Sequence, residues 1–252
     1  MKQFLLFLFV MSLFASCQNT PKETITEDAQ VPNTSDHKAK YTDVKPVIDG
    51  FGNDQIWSEV EWYPIDQLWI GNPVNADDFE GRFKLAWNKD FLYILAEIKD
   101  DVLMDIHEDG LVQYWDDDCL EIFIDEDRSK GLHQFSHNAF AYHIGLDYSV
   151  TDFGPDSMPH YYNDHLICKR TMKNNVYTWE VAMSVYNDQY KDGEAMKSET
   201  LSKGKTMGFA IAYCDNDKSL TRENFYGSIF VPGEDKNRGY IDAGIFGELI
   251  LE

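Results

Sequence analysis

Basic residues are what this chain has least of for its size: 22 lysines and arginines face 44 aspartates and glutamates, a formal net charge of -22 over 252 residues. So few cations cannot neutralise a run of phosphates, which excludes nucleic acid as a partner. The same balance opposes anionic lipid and acidic glycans and favours solubility. Cysteine is scarce as well. Of the four, Cys17 lies in an N-terminal leader pattern and Cys119, Cys168 and Cys214 remain. An odd remainder cannot form a disulfide framework, so these thiols are expected as small buried apolar groups. Their spacing fits no zinc motif. Missing too are an internal repeat, a helix-period run of ordinary length, a nucleophile elbow, a phosphate loop and a Walker-type lysine motif. With 44 acids, some carboxylate pair sits at glycosidase separation by chance, so such pairs do not argue for an enzyme. Any catalysis is expected of a partner.

What the chain does have begins with Lys2, an apolar run from Phe4 to Phe14, and Ala15-Ser16 just before Cys17. The run is too short to cross a bilayer. The pattern resembles a bacterial lipoprotein signal over residues 1–16, which implies lipidation of Cys17 and anchoring in the cell envelope, most simply the outer membrane. A plain secretory signal is the alternative and would leave Cys17 an ordinary thiol. Residues 17–40 are rich in Thr, Pro, Asp, Glu, Lys and Asn and read as a flexible tether. The folded domain is expected over residues 41–252.

Within it, Val44 to Gly50 reads as a short strand. Gly81 to Trp87 alternates, Asn88-Lys89-Asp90 marks a turn, and Phe91 to Lys99 alternates again, a hairpin signature. Ala139–Leu146, Tyr177–Met183, Met207–Tyr213 and Tyr240–Leu251 add strands, and Lys191 to Lys205 reads as a surface loop. Many short strands at fairly even spacing predict an all-β fold, an antiparallel β-sandwich of jelly-roll type behind a disordered N-terminal tether.

The stretch from Trp115 to Asp127 stands out. Strand alternation puts Leu120, Ile122 and Ile124 on a core face and Cys119, Glu121, Phe123 and Asp125 on the other. Glu121 then stands near the loop that carries Trp115. An indole beside a carboxylate suits a sugar, offering a flat apolar plate and an acceptor for hydroxyls. The plainer reading is a strand with an acidic, solvated face.

Pro46-Val47-Ile48-Asp49-Gly50 with Asp54 and Trp57, Leu85-Ala86-Trp87 with Leu92 to Ala96, Lys99-Asp100 with Val102-Leu103, and Trp115 with Glu121 to Glu126 occur in one order. Together they resemble the family 9 carbohydrate-binding modules, with a looser match extending to Phe246-Gly247-Glu248-Leu249. The resemblance implies a non-catalytic sugar-binding sandwich that carries structural calcium and works beside partner glycoside hydrolases on polysaccharide. It also implies that Trp115 is a stacking plate, that Glu121 bonds sugar hydroxyls and that Asp100 contributes to a calcium site. Two positions depart from the family: Ala141 stands where a sugar-clamping arginine is expected, and Ser228 where a second tryptophan is expected. Arg222 and Tyr226 are the nearby candidates to complete the ligand site, Tyr226 because it shares a strand face with Ser228.

Two rival readings remain. A related sandwich family binds haem through Met and His, and His133, His137 and His143 lie close in sequence. The other is a structural or interaction module that has lost sugar binding.

Overall fold

The computed structural model describes residues 36–252. The leader, Cys17 and most of the expected tether lie outside the described residues. Fourteen strands follow in order: β1 (Asp36–Tyr41), β2 (Tyr63–Ile65), β3 (Gln67–Ile70), β4 (Phe79–Trp87), β5 (Leu92–Asp100), β6 (Cys119–Asp125) and β7 (Phe140–Gly145). Then come β8 (Val150–Phe153), β9 (Pro159–Tyr161), β10 (Leu166–Lys173), β11 (Val176–Met183), β12 (Thr206–Asp215), β13 (Asn224–Gly227) and β14 (Gly247–Leu251). One helical turn, Gln55–Ser58, and a 3-10 turn, Ala243–Ile245, complete the inventory.

The strands form a curled sandwich. One layer runs β10-β11-β5-β4, with β2 also on β4; the other runs β14-β12-β6-β7-β8-β9, with β13 and β3 added beside β12. Strand β1 joins them, pairing in parallel with β14 through Asp36–Ala39 and with β4 through Lys40 and Tyr41. Residues 36–40, expected to be tether, thus form part of a strand of the domain. His37 and Ala39 are buried, and it is this burial that ties the polar strand down.

The β4–β5 hairpin forms as its pattern predicts. The Asn88 side chain accepts from the backbone N–H of Asp90 and Phe91, both at 2.9 Å, which fixes the turn. By contrast, 44–50 joins no ladder. It lies as a strap over the outer face of the first layer, where the Gly50 N–H and the Trp57 indole donate to the buried Glu180 carboxylate at 2.8 and 2.9 Å. Gly50 has φ +85°, and an added Cβ would sit 2.8 Å from the Arg170 carbonyl carbon.

Leu120, Ile122 and Ile124 join Phe83, Leu85, Ile94 and Trp179 in the core between the layers. Each such side chain contributes roughly 1.5–3 kcal/mol by leaving water. The opposite face of the second layer is covered too. Phe123, Ala141, Ala212 and Phe225 pack there against Trp69 and against Ile229, Val231 and Phe246 from the long connection after β13. Every residue of β6 is buried, so its alternation is as the sequence predicts but its second face is not solvated.

Candidate functional site

The loop 101–118 carries Trp115 to the rim of that second face, and three consecutive acids hold it in place. Asp118 accepts from the N–H groups of Met104 and Asn216 at 2.6 and 2.7 Å. Asp117 takes the Ile106 N–H at 2.9 Å and the His107 ring at 3.0 Å, and Asp116 takes the Arg222 N–H at 3.2 Å. These acids are internal acceptors rather than solvated loop charges. Burial, with Asp100 nearby, pushes Asp118 up to about 9.

Beside Trp115 opens a cleft of about 350 Å³, within the roughly 300–1,000 Å³ typical of small-molecule sites. Trp115 is half-buried and meets Tyr114 edge-to-face at 5.0 Å. Glu121, His143 and Asp152 line the floor, and Gln134, Asn237 and Tyr240 line the walls together with Arg222. Tyr240, 37% exposed, supplies a second aromatic surface.

The ladder explains the floor. Glu121 on β6 lies directly across from His143 on β7, with Oε1 3.2 Å from Nε2. His143 Nδ1 lies 3.1 Å from the Ala141 carbonyl oxygen, which can only accept, so Nδ1 carries a proton. A neutral ring then presents Nε2 as an acceptor, and Glu121 must be the donor. Burial drives both groups the same way, raising the Glu121 carboxyl well above its usual range and lowering His143 to about 3, with the Arg222 charge adding to the histidine's shift. Burial therefore favours a hydrogen bond between neutral partners over an ion pair. Asp152 accepts from the N–H of Ala141 and of Phe153, each at 2.7 Å, and burial raises it to about 8.

Arg222 lies over the Phe225 ring, its guanidinium carbon 4.1 Å from the centroid. Nη1 donates to Cys214 Sγ at 3.1 Å and Nη2 to Asn237 Oδ1 at 3.2 Å. Cys214 faces Cys119 across β12 and β6. Burial opposes ionisation of the Cys214 thiol, but Cys119 and Arg222 together bring it down to about 7. All three described cysteines are free and buried.

The structure thus brings Trp115, Glu121 and Arg222 together and leaves Tyr226 out, correcting the expectation for that residue. The Tyr226 ring stacks on Phe79 at 4.4 Å in the core between the layers, and its hydroxyl accepts from the Val74 N–H at 3.1 Å. Its neighbour Phe225 takes the cleft side of β13. Ser228 is held by hydrogen bonds to Ile211, and Gly227 is a glycine because a methyl there would overlap the Trp69 indole. Sequence reasoning missed Asp152, Gln134, Asn237 and Tyr240, and it took His143 for a metal or haem candidate. Only His143 left a signal, through its alternation with Tyr142 on β7. Tyr240 was expected in a strand, but the strand begins at Gly247.

The three clustered histidines go to different partners. His133 Nε2 bonds the Gly239 carbonyl oxygen at 2.7 Å, His137 bonds Asp192 at 3.1 Å, and His143 belongs to the cleft. Asp100 sits in a separate acidic group. It accepts from the Tyr213 hydroxyl at 2.8 Å and the Val102 N–H at 3.0 Å, and burial raises it to about 6. Carboxylate oxygens of Asp100, Asp101 and Asp217 lie within 4.8 Å of one another, as do those of Asp78, Asp215 and Asp217. One oxygen each of Asp78, Asp215 and Asp217 is buried without a partner. Converging, unsatisfied carboxylate oxygens are the donor set of a hard cation such as calcium.

A family model described as carbohydrate family 9 binding domain-like matches residues 48–252, and the chain belongs to that family. Among solved structures, a family 9 carbohydrate-binding module from Caldicellulosiruptor kristjanssonii in complex with cellotriose is similar over 86% of this chain and 93% of its own, at 21% identity and a TM-score of 0.64. Its complex with glucose gives the same TM-score. These likenesses establish the fold. Among curated relatives, endo-1,4-beta-xylanase C of Paenibacillus barcinonensis is 24% identical over 206 residues, and endo-1,4-beta-xylanase A of Thermotoga maritima is 36% identical over 93. The matches cover 82% and 36% of this chain but only 16% and 8% of those enzymes.

One outcome follows from Asp152. Its carboxyl holds a proton to about 8 in the fold but only to its ordinary 3.8 when unfolded. Between those values the unfolded chain binds fewer protons, so this group's contribution to stability falls as pH rises from about 4 to about 8 and is flat above. Asp152→Asn should flatten that slope, with urea midpoints that gain on the parent from pH 5 to pH 8. Parallel pH dependences would show that Asp152 is ionised in the fold.

Proposed function

We propose that this domain binds carbohydrate without transforming it, and that the cleft beside Trp115 is the binding site. The observation that carries this reading is a half-exposed indole at the mouth of a concave cleft whose floor is buried, polar and already hydrogen-bonded. The apolar C–H face of a sugar ring lies on Trp115, with Tyr240 as the opposing surface in the place expected for Tyr226. Glu121, Asp152 and His143, all uncharged in this reading, exchange hydrogen bonds with hydroxyls, and Arg222 and Asn237 supply further polar groups. Family membership and sugar-complexed structures of the same fold support the assignment.

The leader pattern ending at Cys17 supports a lipid-anchored setting at the cell envelope. There the domain would hold polysaccharide for partner glycoside hydrolases. The acidic group supports structural calcium, held by Asp78, Asp215 and Asp217 with Asp100 and Asp101 adjoining. The cation would neutralise carboxylates that otherwise repel one another and would fasten the loop after β12 to the start of β4.

Trp115→Ala should weaken glucan-oligosaccharide binding by about tenfold or more, the loss of one stacking contact, while the melting temperature stays nearly unchanged. Calorimetric titration and a thermal melt check both; retained affinity would remove Trp115 from the site, and an unfolded variant would make it a core residue. Calcium at a hundredfold excess over its dissociation constant should stabilise the fold by about 2.7 kcal/mol. Chelator should reverse the gain and Asp215→Asn should abolish it. A melt indifferent to calcium would remove the metal from this account.

A further inference from the structure

Arg222 is a part-buried cation at the cleft with no carboxylate partner. Among the described arginines, Arg82 and Arg128 reach carboxylates, Glu97 and Glu248, whereas Arg170, Arg222 and Arg238 reach none, and of these three Arg222 alone lines the cleft. No carboxylate oxygen lies within 4.0 Å of the Arg222 guanidinium among the described residues. A guanidinium has five N–H donors; Cys214 and Asn237 each take one here. A part-buried guanidinium gains from an anionic partner, and its planar fork matches a carboxylate in two parallel hydrogen bonds. We infer that the cleft selects a saccharide unit bearing a carboxylate, a uronic acid, with Arg222 as its anion receptor and Trp115 as the plate under its ring. This inference rests on the proposed sugar site and narrows its ligand class.

The charge of the whole chain argues the other way, and the local geometry answers it. Glu121 is engaged by His143 at 3.2 Å rather than by Arg222, and the Asp152 oxygens each receive a backbone N–H. Burial raises both carboxyls, Asp152 to about 8, and lowers His143 to about 3. Asp116 reaches the Arg222 backbone rather than its guanidinium. Cys214, opposite Cys119, is the remaining titratable neighbour; its sulfur accepts one N–H of the fork and, brought down to about 7, offsets part of the guanidinium charge. Acids farther than the Debye length of about 8 Å are screened at physiological salt. The cleft therefore presents one guanidinium that no carboxylate pairs, inside a protein of net charge -22.

Glucose and glucuronate differ only at C6 and make a matched pair of probes, with glucose 6-sulfate as a third. Calorimetric titration of the full chain at pH 7 should show glucuronate binding about tenfold or more tighter than glucose, the gain of a charge-assisted pair. That ratio should shrink with added salt. Arg222→Gln should collapse it to near one, and Arg222→Lys should keep part of it. Equal affinities for glucose and glucuronate in the parent chain would overturn this inference while leaving the sugar site standing. A folded Arg222→Gln protein that still prefers glucuronate would also overturn it. Tighter binding of the sulfate ester would overturn the assignment to a carboxylate. Failure to bind any of the three would remove both this inference and the sugar site.

Discussion

Strand β6 is buried on both faces, and the remaining features of the site depend on that. Its inner face meets this constraint with Leu120, Ile122 and Ile124. Its outer face carries Glu121, which has no water to retreat to and must find its partner within the ladder. The cross-strand histidine on β7 supplies it; the bond of that histidine to the Ala141 carbonyl keeps a proton on Nδ1, and burial favours the neutral form of both partners. A pair satisfied in this way is rigid before any ligand arrives. Preorganised polar groups spare a ligand the cost of ordering them.

The abundance of acid looks different once its uses are known. Asp116, Asp117 and Asp118 anchor the Trp115 loop by accepting backbone N–H groups. Glu180 fastens the strap that covers the first layer. Asp78, Asp215 and Asp217 converge with oxygens that lack partners. Many of the acids in the sequence are therefore structural, and the cleft carries a guanidinium that no carboxylate pairs.

The fold was largely legible because its strands announce themselves locally. The β4–β5 alternation around Asn88 and the alternation of β6 each survive intact, and with them the placing of Trp115 and Glu121. Arg222 was legible only through the family resemblance. What could not be read depends on contacts distant in sequence. Asp36–Tyr41 is polar enough to pass for tether and becomes a strand by joining two partners in parallel. Tyr226 was assigned to the cleft by counting residues from Ser228, yet β13 turns that side inward, beside a register shift against β3 at Phe225 and Tyr226. Asn237 and Tyr240 reach the cleft from a connection with no periodicity.

The protonation of the buried pair tests the central claim most directly. Side-chain NMR titration of Glu121 and His143 should find a protonated carboxyl and a neutral, Nδ1-protonated imidazole at pH 7, with the ring staying neutral down toward about 3. An ionised Glu121 facing an imidazolium at pH 7 would contradict the account, because the floor of the cleft would then be an ion pair.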